Sequence, residues 1–184
     1  MNFEGYDYLL DSSRWAMDDL HIRMLHGLVM EYRPQTVMEI GSYRGRSAIA
    51  YLEAMKAGAG FHLHLVEPEP RDTLFRLIDE SGFGNRITLH AAPSWELMIP
   101  CDLVFIDGNH TWPAVGDAMT ALTLGTRVIA LHDTRGMENG YKHVWGSALA
   151  ARMLERCAGR TWHEDALRRE GMATERGFGW SVAG

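Results

Sequence analysis

Short apolar runs alternate along the chain with longer segments whose apolar residues recur every three or four positions. Five runs have the length and composition of strands: residues 36–40, 61–67, 86–90, 102–106 and 127–132. The segments around them have the helical period and predict helices over residues 14–32, 47–57, 71–81, 113–124 and 142–157. Strands that alternate with helices predict a parallel sheet joined by right-handed crossovers.

The two ends of the chain depart from this alternation. Ser12 and Ser13 offer N-caps for the first helix, and Pro34 ends it. After the last helix, residues 161–165 and 179–183 are short strand candidates with no helix between them, which predicts an antiparallel hairpin at a sheet edge. The expected fold class is α/β, with a Rossmann-like, doubly wound, mostly parallel seven-stranded sheet and an antiparallel C-terminal hairpin.

The length and net charge of the chain limit the number of domains and the kinds of partner to expect. At 184 residues it fits one domain, with a helical segment over 1–34, a core over 36–133, and a final helix and hairpin over 134–184. The formal charge is −6 and no Lys/Arg-rich run stands out, so a nucleic-acid partner is not expected.

The cysteine content and the N-terminal sequence indicate in which cellular compartment to expect the protein. Cys101 and Cys157 are too few for a disulfide scaffold and are expected to be reduced packing residues. The N-terminus has no basic region followed by an apolar core, so it does not resemble a signal peptide. No apolar run approaches the roughly 18 residues of a membrane span. A cytoplasmic protein without membrane contact is therefore expected.

Ligands of parallel sheets bind at the carboxyl ends of the strands, so the residues there are the candidates for chemistry. Gly41 and Gly45 bracket a loop before a helix, where backbone N–H groups favour an anionic or zwitterionic small molecule. Ser42 and Ser47 add donors, although a tight turn without a ligand is the alternative. Glu67 ends the second strand and is either a solvated carboxylate or the acceptor of two ribose hydroxyls.

Acids and histidines follow the fourth and fifth strands. Asp107 and His110 can bind a metal, orient a base or hold a polar substrate; the alternative is that Asp107 caps a helix and His110 is a surface histidine. Asp133 beside Asp107 would offer Mg²⁺ two oxygen ligands, whereas His132 as a third ligand would favour Fe²⁺, Mn²⁺, Co²⁺ or Zn²⁺. Hydrogen bonding without a metal is the alternative. Neighbouring strand residues point to opposite faces, so His132 and Asp133 need not share one role.

Other histidines and tryptophans are less informative. His62 and His64 lie on the same face of the second strand and are interpreted as partly buried polar groups. Trp95 and Trp112 either pack in the core or form walls of an adenine or substrate pocket.

The chain resembles class I S-adenosylmethionine-dependent methyltransferases, and among them the small O-methyltransferase-like branch. The resemblance rests on E-I-G-x-x-x-G-x-S at the first strand and F-I-D-G-x-H at the fourth, and it covers roughly residues 36–133. It implies a set of residues around the cofactor S-adenosyl-L-methionine: Glu39, Gly41, Ser42, Tyr43, Gly45, Ser47, Glu67, Pro68, Ala92, Ser94 and Asp107. In this set, Glu67 would hold the ribose, residues 92–94 would lie near the adenine, and Asp107 would lie beside the sulfonium.

The resemblance also implies a metal site. Metal-dependent relatives bind a divalent cation through acids at the tips of the fourth and fifth strands, and these positions match Asp107, His132 and Asp133. Mg²⁺ or another divalent metal would then lower the pKa of the acceptor hydroxyl. His132 departs from the pattern, because relatives often carry an acid or an amide near this point. The implied catalytic residues are Asp107, His110 and His132, with either histidine as the base when no metal is bound.

The expected reaction is methyl transfer to a hydroxyl oxygen of a small molecule or sugar. A non-catalytic S-adenosylmethionine-binding module and a nicotinamide-dependent oxidoreductase are the alternatives, and the missing middle glycine of G-x-G-x-x-G counts against the oxidoreductase. The expected partner is a small-molecule acceptor. The chain has no room for a capping domain, so the acceptor site needs the N-terminal helix, the loop at 134–141 or another subunit, which leaves a homo-oligomer open.

Overall fold

The computed structural model describes residues 4–9, 17–97, 99–135, 144–168 and 175–184. Its seven strands are Thr36–Ile40 (β1), His62–Val66 (β2), Ile87–His90 (β3), Leu103–Ile106 (β4), Val128–His132 (β5), Arg160–Arg168 (β6) and Glu175–Ala183 (β7). Its α-helices are Asp19–Tyr32 (α1), Ala48–Lys56 (α2), Asp72–Glu80 (α3), Trp112–Thr123 (α4) and Trp145–Glu155 (α5). None of the described helices combines the length and the apolar character needed to span a bilayer.

The strands form one sheet in the order β3-β2-β1-β4-β5-β7-β6. The first five strands are parallel to one another. The last strand, β7, lies antiparallel to both β5 and β6. The expected fold, a mostly parallel seven-stranded sheet with an antiparallel C-terminal hairpin, is confirmed.

Helices cover both faces of the sheet. Successive strand residues point to opposite faces, so the apolar strands present side chains to helices on each face. Leu63 and Leu65 belong to the core cluster that includes residues of α1, α2 and α3. Val66 belongs to the second cluster, which includes residues of α4 and α5. His62 and His64 alternate with the two leucines, so they lie on the α4–α5 side, on one face as the sequence predicted.

Some boundaries differ from those expected. The first helix begins at Asp19 rather than at residue 14, and the expected N-caps Ser12 and Ser13 lie outside the described residues. The two hairpin strands have nine residues each, longer than the sequence suggested. Their length follows from pairing: β7 pairs with β6 along its whole length and with β5 over residues 178–182, so the backbone stays extended at Gly177 and Gly179, where no side-chain alternation is visible in the sequence.

Candidate active site at the strand tips

The glycine loop after β1 lies against the loop after β4. Gly41 has a positive φ of +92°, and a Cβ atom there would lie 2.5 Å from Gly108 N and 2.6 Å from Asp107 O. Only glycine tolerates both the backbone angle and this close approach. The Gly41 N–H donates to the Val66 carbonyl (2.8 Å), and the Asp107 N–H donates to the Ile40 carbonyl (2.9 Å). The tips of β1, β2 and β4 are therefore held together by backbone contacts.

Glu67 fixes the conformation of the same loop. Its Oε2 accepts the Tyr43 N–H at 2.8 Å, and its Oε1 accepts the Glu69 N–H at 3.1 Å. Tyr43 has a positive φ of +42°, and its ring is exposed. A Cβ atom at Gly45 would lie 2.9 Å from Leu77 of α3, so the loop also packs closely on that helix. The carboxylate expected to hold a ribose is thus rigidly placed at the rim of the glycine loop.

Glu39 lies behind the loop and is completely buried. The Ser47 hydroxyl donates to its Oε1 at 2.7 Å. Burial raises the pKa of Glu39 to about 7; the bond from Ser47 opposes this shift, and the charge of Asp107 adds to it. The hydroxyls of Ser42 and Tyr51 also act on this carboxyl group and lower its pKa. Glu39 therefore changes its charge near neutral pH, directly beneath the expected cofactor site.

Three expected site residues converge at the tips of β4 and β5. Asp107, His110 and Asp133 have ligand atoms that all lie within 4.8 Å of one another. His110 Nε2 is 3.4 Å from Asp133 Oδ2 and 3.9 Å from Asp107 Oδ1. All three side chains are partly exposed. Asp133 has a positive φ of +56°, a conformation that costs about 1–3 kcal/mol for a non-glycine residue and is concentrated at functional sites.

His132 does not join this group at the surface. Its ring is buried; Nδ1 lies 3.0 Å from Asp107 Oδ1, and Nε2 lies 3.0 Å from His21 Nδ1. Burial alone would lower the pKa of His132, but the charges of Asp107 and Asp133 outweigh burial and raise it to about 10. The raised pKa favours the imidazolium form of His132, in which both nitrogens donate. The structure differs here from the expected metal set, in which His132 rather than His110 accompanied the two acids.

Contacts with His132 also shift the pKa values of its neighbours Asp133 and His21. Burial would raise the pKa of Asp133, but the neighbouring His132 charge and hydrogen bond hold it well below its ordinary value. Burial and the charge of His132 lower the pKa of His21 to about 3. His21 is therefore neutral and accepts the proton that His132 offers.

Two helices, α5 and α1, make supporting contacts that were not visible in the sequence. Ser147 Oγ of α5 lies 3.1 Å from His110 Nδ1, which leaves Nε2 directed at the acids. The Gly146 N–H donates to the His110 carbonyl at 2.8 Å, and a Cβ atom at Gly146 would collide with the Thr111 carbonyl. His21 is the second missed contributor. Ser147 is 37 positions from His110 and His21 is 111 positions from His132, so no local pattern relates these pairs.

The remaining expected cofactor residues follow the carboxyl ends of β2 and β3 in the chain. Ala92 and Ser94 are partly buried, and Pro68 is exposed. Burial raises the pKa of Asp117 in α4 to about 6, while a hydrogen bond with Ser94 opposes the shift. Trp112 is 67% exposed and meets the ring of Trp145 edge to face, so it is a surface residue beside the site rather than a core residue.

Sequence comparisons identify relatives over the segment that carries this site. The family model for the methyltransferase domain matches residues 38–134, just over half of the chain. Catechol O-methyltransferase from Mus musculus is 26% identical over 116 residues, which cover 56% of this chain and 43% of that protein. The chain thus spans less than half the length of this curated relative.

Solved structures with low sequence identity have the same fold. Cofactor-bound Rv0187 from MTB has a TM-score of 0.78 at 20% identity, covering 96% of this chain and 85% of that one. The O-methyltransferase TomG from Streptomyces achromogenes, solved in complex with SAM, has a TM-score of 0.76 at 20% identity, covering 93% and 82%. The matched segment contains both the glycine loop and the cluster of Asp107, His110 and Asp133. The resemblance is confirmed, and this chain belongs to the methyltransferase domain family.

Proposed function

We propose that this chain transfers a methyl group from S-adenosyl-L-methionine to a hydroxyl oxygen of a small molecule. The observation that carries the proposal is the packing of the glycine loop against the loop that bears the acids. Gly41 lies directly against Gly108, so a cofactor on the first loop would lie next to Asp107. The partial relative from Mus musculus is a catechol O-methyltransferase, which supports an oxygen acceptor.

The residues of the first loop fit this cofactor. Each carboxylate oxygen of Glu67 accepts one hydrogen bond from a backbone N–H group. Its second lone pair is available to a ribose hydroxyl. We propose the expected roles for the loop residues: Glu39, Gly41, Ser42, Tyr43 and Gly45 around the methionine part, with Ser47 at the start of the helix behind it. Pro68 and the segment at 92–94 would border the ribose and the adenine.

The acidic cluster fits a divalent cation. Two carboxylates and one imidazole offer the ligand types that Mg²⁺, Mn²⁺ or Zn²⁺ accept, and their atoms already lie within 4.8 Å of one another. We propose that Asp107, His110 and Asp133 hold such a cation. When bound, it would lower the pKa of the acceptor hydroxyl.

The chain's own residues must orient the acceptor and remove its proton, because a methyl sulfonium is already strongly electrophilic. Asp107 and Asp133 lie on adjacent strand tips and can hold the acceptor through its hydroxyl group. In a metal-free reaction His110 is the base, since Ser147 fixes its Nδ1 side and Nε2 faces the acids. We propose His110 rather than His132 as this base, because the charges of Asp107 and Asp133 raise the pKa of His132 and both of its nitrogens are hydrogen-bonded.

Turnover with labelled S-adenosylmethionine and a panel of catechols and sugars tests the reaction. Asp107→Asn and Asp133→Asn should each lower turnover on the order of 10²–10⁴-fold, the range of a lost acid, base or ligand. Asp79→Asn, at an exposed position of α3, is the matched control and should keep full activity. Cofactor binding by calorimetry should persist in all three. Full turnover in both site variants would refute the proposed site.

The same measurements separate the alternatives. Loss of turnover in EDTA and its return with Mg²⁺ or Mn²⁺ would support the metal-assisted reaction, whereas full turnover in EDTA would leave His110 as the base. Tight binding of S-adenosylmethionine without transfer to any acceptor would favour a non-catalytic module. Binding of NAD instead would favour an oxidoreductase.

A further inference from the structure

One face of the sheet carries three histidines on its outer strands. His62 and His64 of β2 point to the α4–α5 side, and His90 of β3 joins them there. The connection between β3 and β4, as far as it is described, contains only the 3₁₀ turn Ser94–Glu96 and no α-helix. The three imidazoles are only partly buried and remain open to solvent.

The rings of this histidine face lie close together. His64 Nδ1 and His90 Nε2 are 3.0 Å apart, and the two rings stack with centroids 5.3 Å apart. The His62 ring is 4.8 Å from the His64 ring, and its Nε2 contacts Thr88 Oγ1 at 2.8 Å. This contact is a hydrogen bond between the two rings, so a bound cation would replace the proton that the two nitrogens share.

The chemistry of these nitrogens suits a soft or borderline cation. Neutral imidazole is the form that binds metals. Burial lowers the pKa of His64 and of His90, and the neighbouring histidines lower it further, so both rings are neutral at physiological pH. Two imidazoles on a tetrahedral Zn²⁺ at 2.0–2.1 Å hold their nitrogens roughly 3.3–3.4 Å apart. The observed 3.0 Å needs an opening of only a few tenths of an ångström.

We propose that His64 and His90 bind a transition-metal cation that prefers imidazole, such as Zn²⁺, Ni²⁺ or Cu²⁺, with His62 as a third ligand. His62 reaches the ion by turning away from Thr88. His62 must turn because the ligand nitrogens of the three histidines do not yet all lie within 4.8 Å of one another. Among the described residues, only Asp107, His110 and Asp133 have three ligand atoms that close together. The histidine face includes none of the residues proposed for the active site, and its nearest link to that site is the His90 carbonyl, which accepts the Glu67 N–H at 3.1 Å.

Calorimetric titration of the untagged 184-residue chain with Ni²⁺ in excess Mg²⁺ tests the proposal. Wild type should bind one more equivalent of Ni²⁺ than the double variant His64→Gln/His90→Gln. His62→Gln should keep the stoichiometry and lose affinity. His163→Gln, an exposed histidine of β6 whose ring stacks on Trp180, is the matched control and should bind like wild type.

Further measurements check that the double variant is folded and that the bound ion lies beside these histidines. Circular dichroism and the melting temperature without metal should match wild type in the double variant, because the side chains are partly exposed. Paramagnetic Ni²⁺ should broaden the proton resonances of His64 and His90 in wild type at the first equivalent. Equal Ni²⁺ stoichiometry in wild type and a folded double variant would overturn the proposal, as would broadening that spares these two histidines.

Discussion

The buried carboxyl group of Glu39 makes stability depend on pH in a predictable direction. Its pKa is about 7 in the folded state, against an ordinary 4.5 for the unfolded chain. Between these values the folded state binds more protons than the unfolded state, so the free energy of unfolding falls as pH rises. Each tenfold change in proton affinity is worth about 1.4 kcal/mol. The ionised carboxylate therefore costs the folded protein about 3 kcal/mol above pH 7.

Glu39→Gln keeps the shape of the side chain and removes the charge. Its carbonyl oxygen can still accept the Ser47 hydroxyl, and the hydroxyls of Ser42 and Tyr51 can accept from its amide. At pH 8 the variant should be more stable than wild type by up to about 3 kcal/mol. At pH 5 the gain should fall below ~1 kcal/mol, because wild type is then largely protonated in the folded state.

Urea denaturation followed by circular dichroism at pH 5 and pH 8, without cofactor, measures this difference. Glu155→Gln, at an exposed position of α5, is the control and should change stability little at either pH. A gain of equal size at both pH values would mean that removing the charge of Glu39 is not the cause. A Glu39→Gln protein less stable than wild type at pH 8 would refute the reasoning altogether.

Three further substitutions test contacts within the site. Gly41→Ala should lose about 1–3 kcal/mol more stability in urea than Gly58→Ala, because both have φ of +92° but only Gly41 lies against backbone atoms; equal losses would exclude the close approach as a cause. Ser147→Ala should weaken Mn²⁺ binding about 10–100-fold in calorimetry without changing cofactor affinity, and unchanged Mn²⁺ affinity would count against its positioning role. His21→Leu should destabilise the fold by about 1–3 kcal/mol in urea, because the buried His132 loses an acceptor; an unchanged midpoint would contradict the Nε2–Nδ1 hydrogen bond.

The convergence of the strand tips could be predicted from the sequence. The strands of a parallel sheet end at one edge, so local apolar runs were enough to bring Glu39, Glu67, Asp107 and Asp133 to that edge. The same reasoning placed His62 and His64 on one face. These predictions succeed because each depends on strand direction and alternation, which are local properties of the chain.

The choice between the two candidate histidines could not be made in this way. Alternation predicts that His132 and Asp133 point to opposite faces, but Asp133 leaves the strand with a φ of +56° and its Oδ1 lies 3.5 Å from His132 Nδ1. The residue type of Asp133 does not reveal this backbone conformation. Ser147 and His21 could not be identified from the sequence for a related reason. Each belongs to a helix distant in sequence from its histidine partner, and the contact forms only when the helices pack.

The two histidines of the site show how packing assigns roles to identical side chains. His132 is buried between Asp107 and His21 and carries a fixed positive charge, so it balances one of the two carboxylate charges. His110 is partly exposed, with one nitrogen on Ser147 and the other directed at both acids. In the proposed site, a cation or an acceptor hydroxyl would therefore meet His110 and not His132. Burial and hydrogen-bond partners, rather than residue type or place in the motif, determine which histidine is free to react.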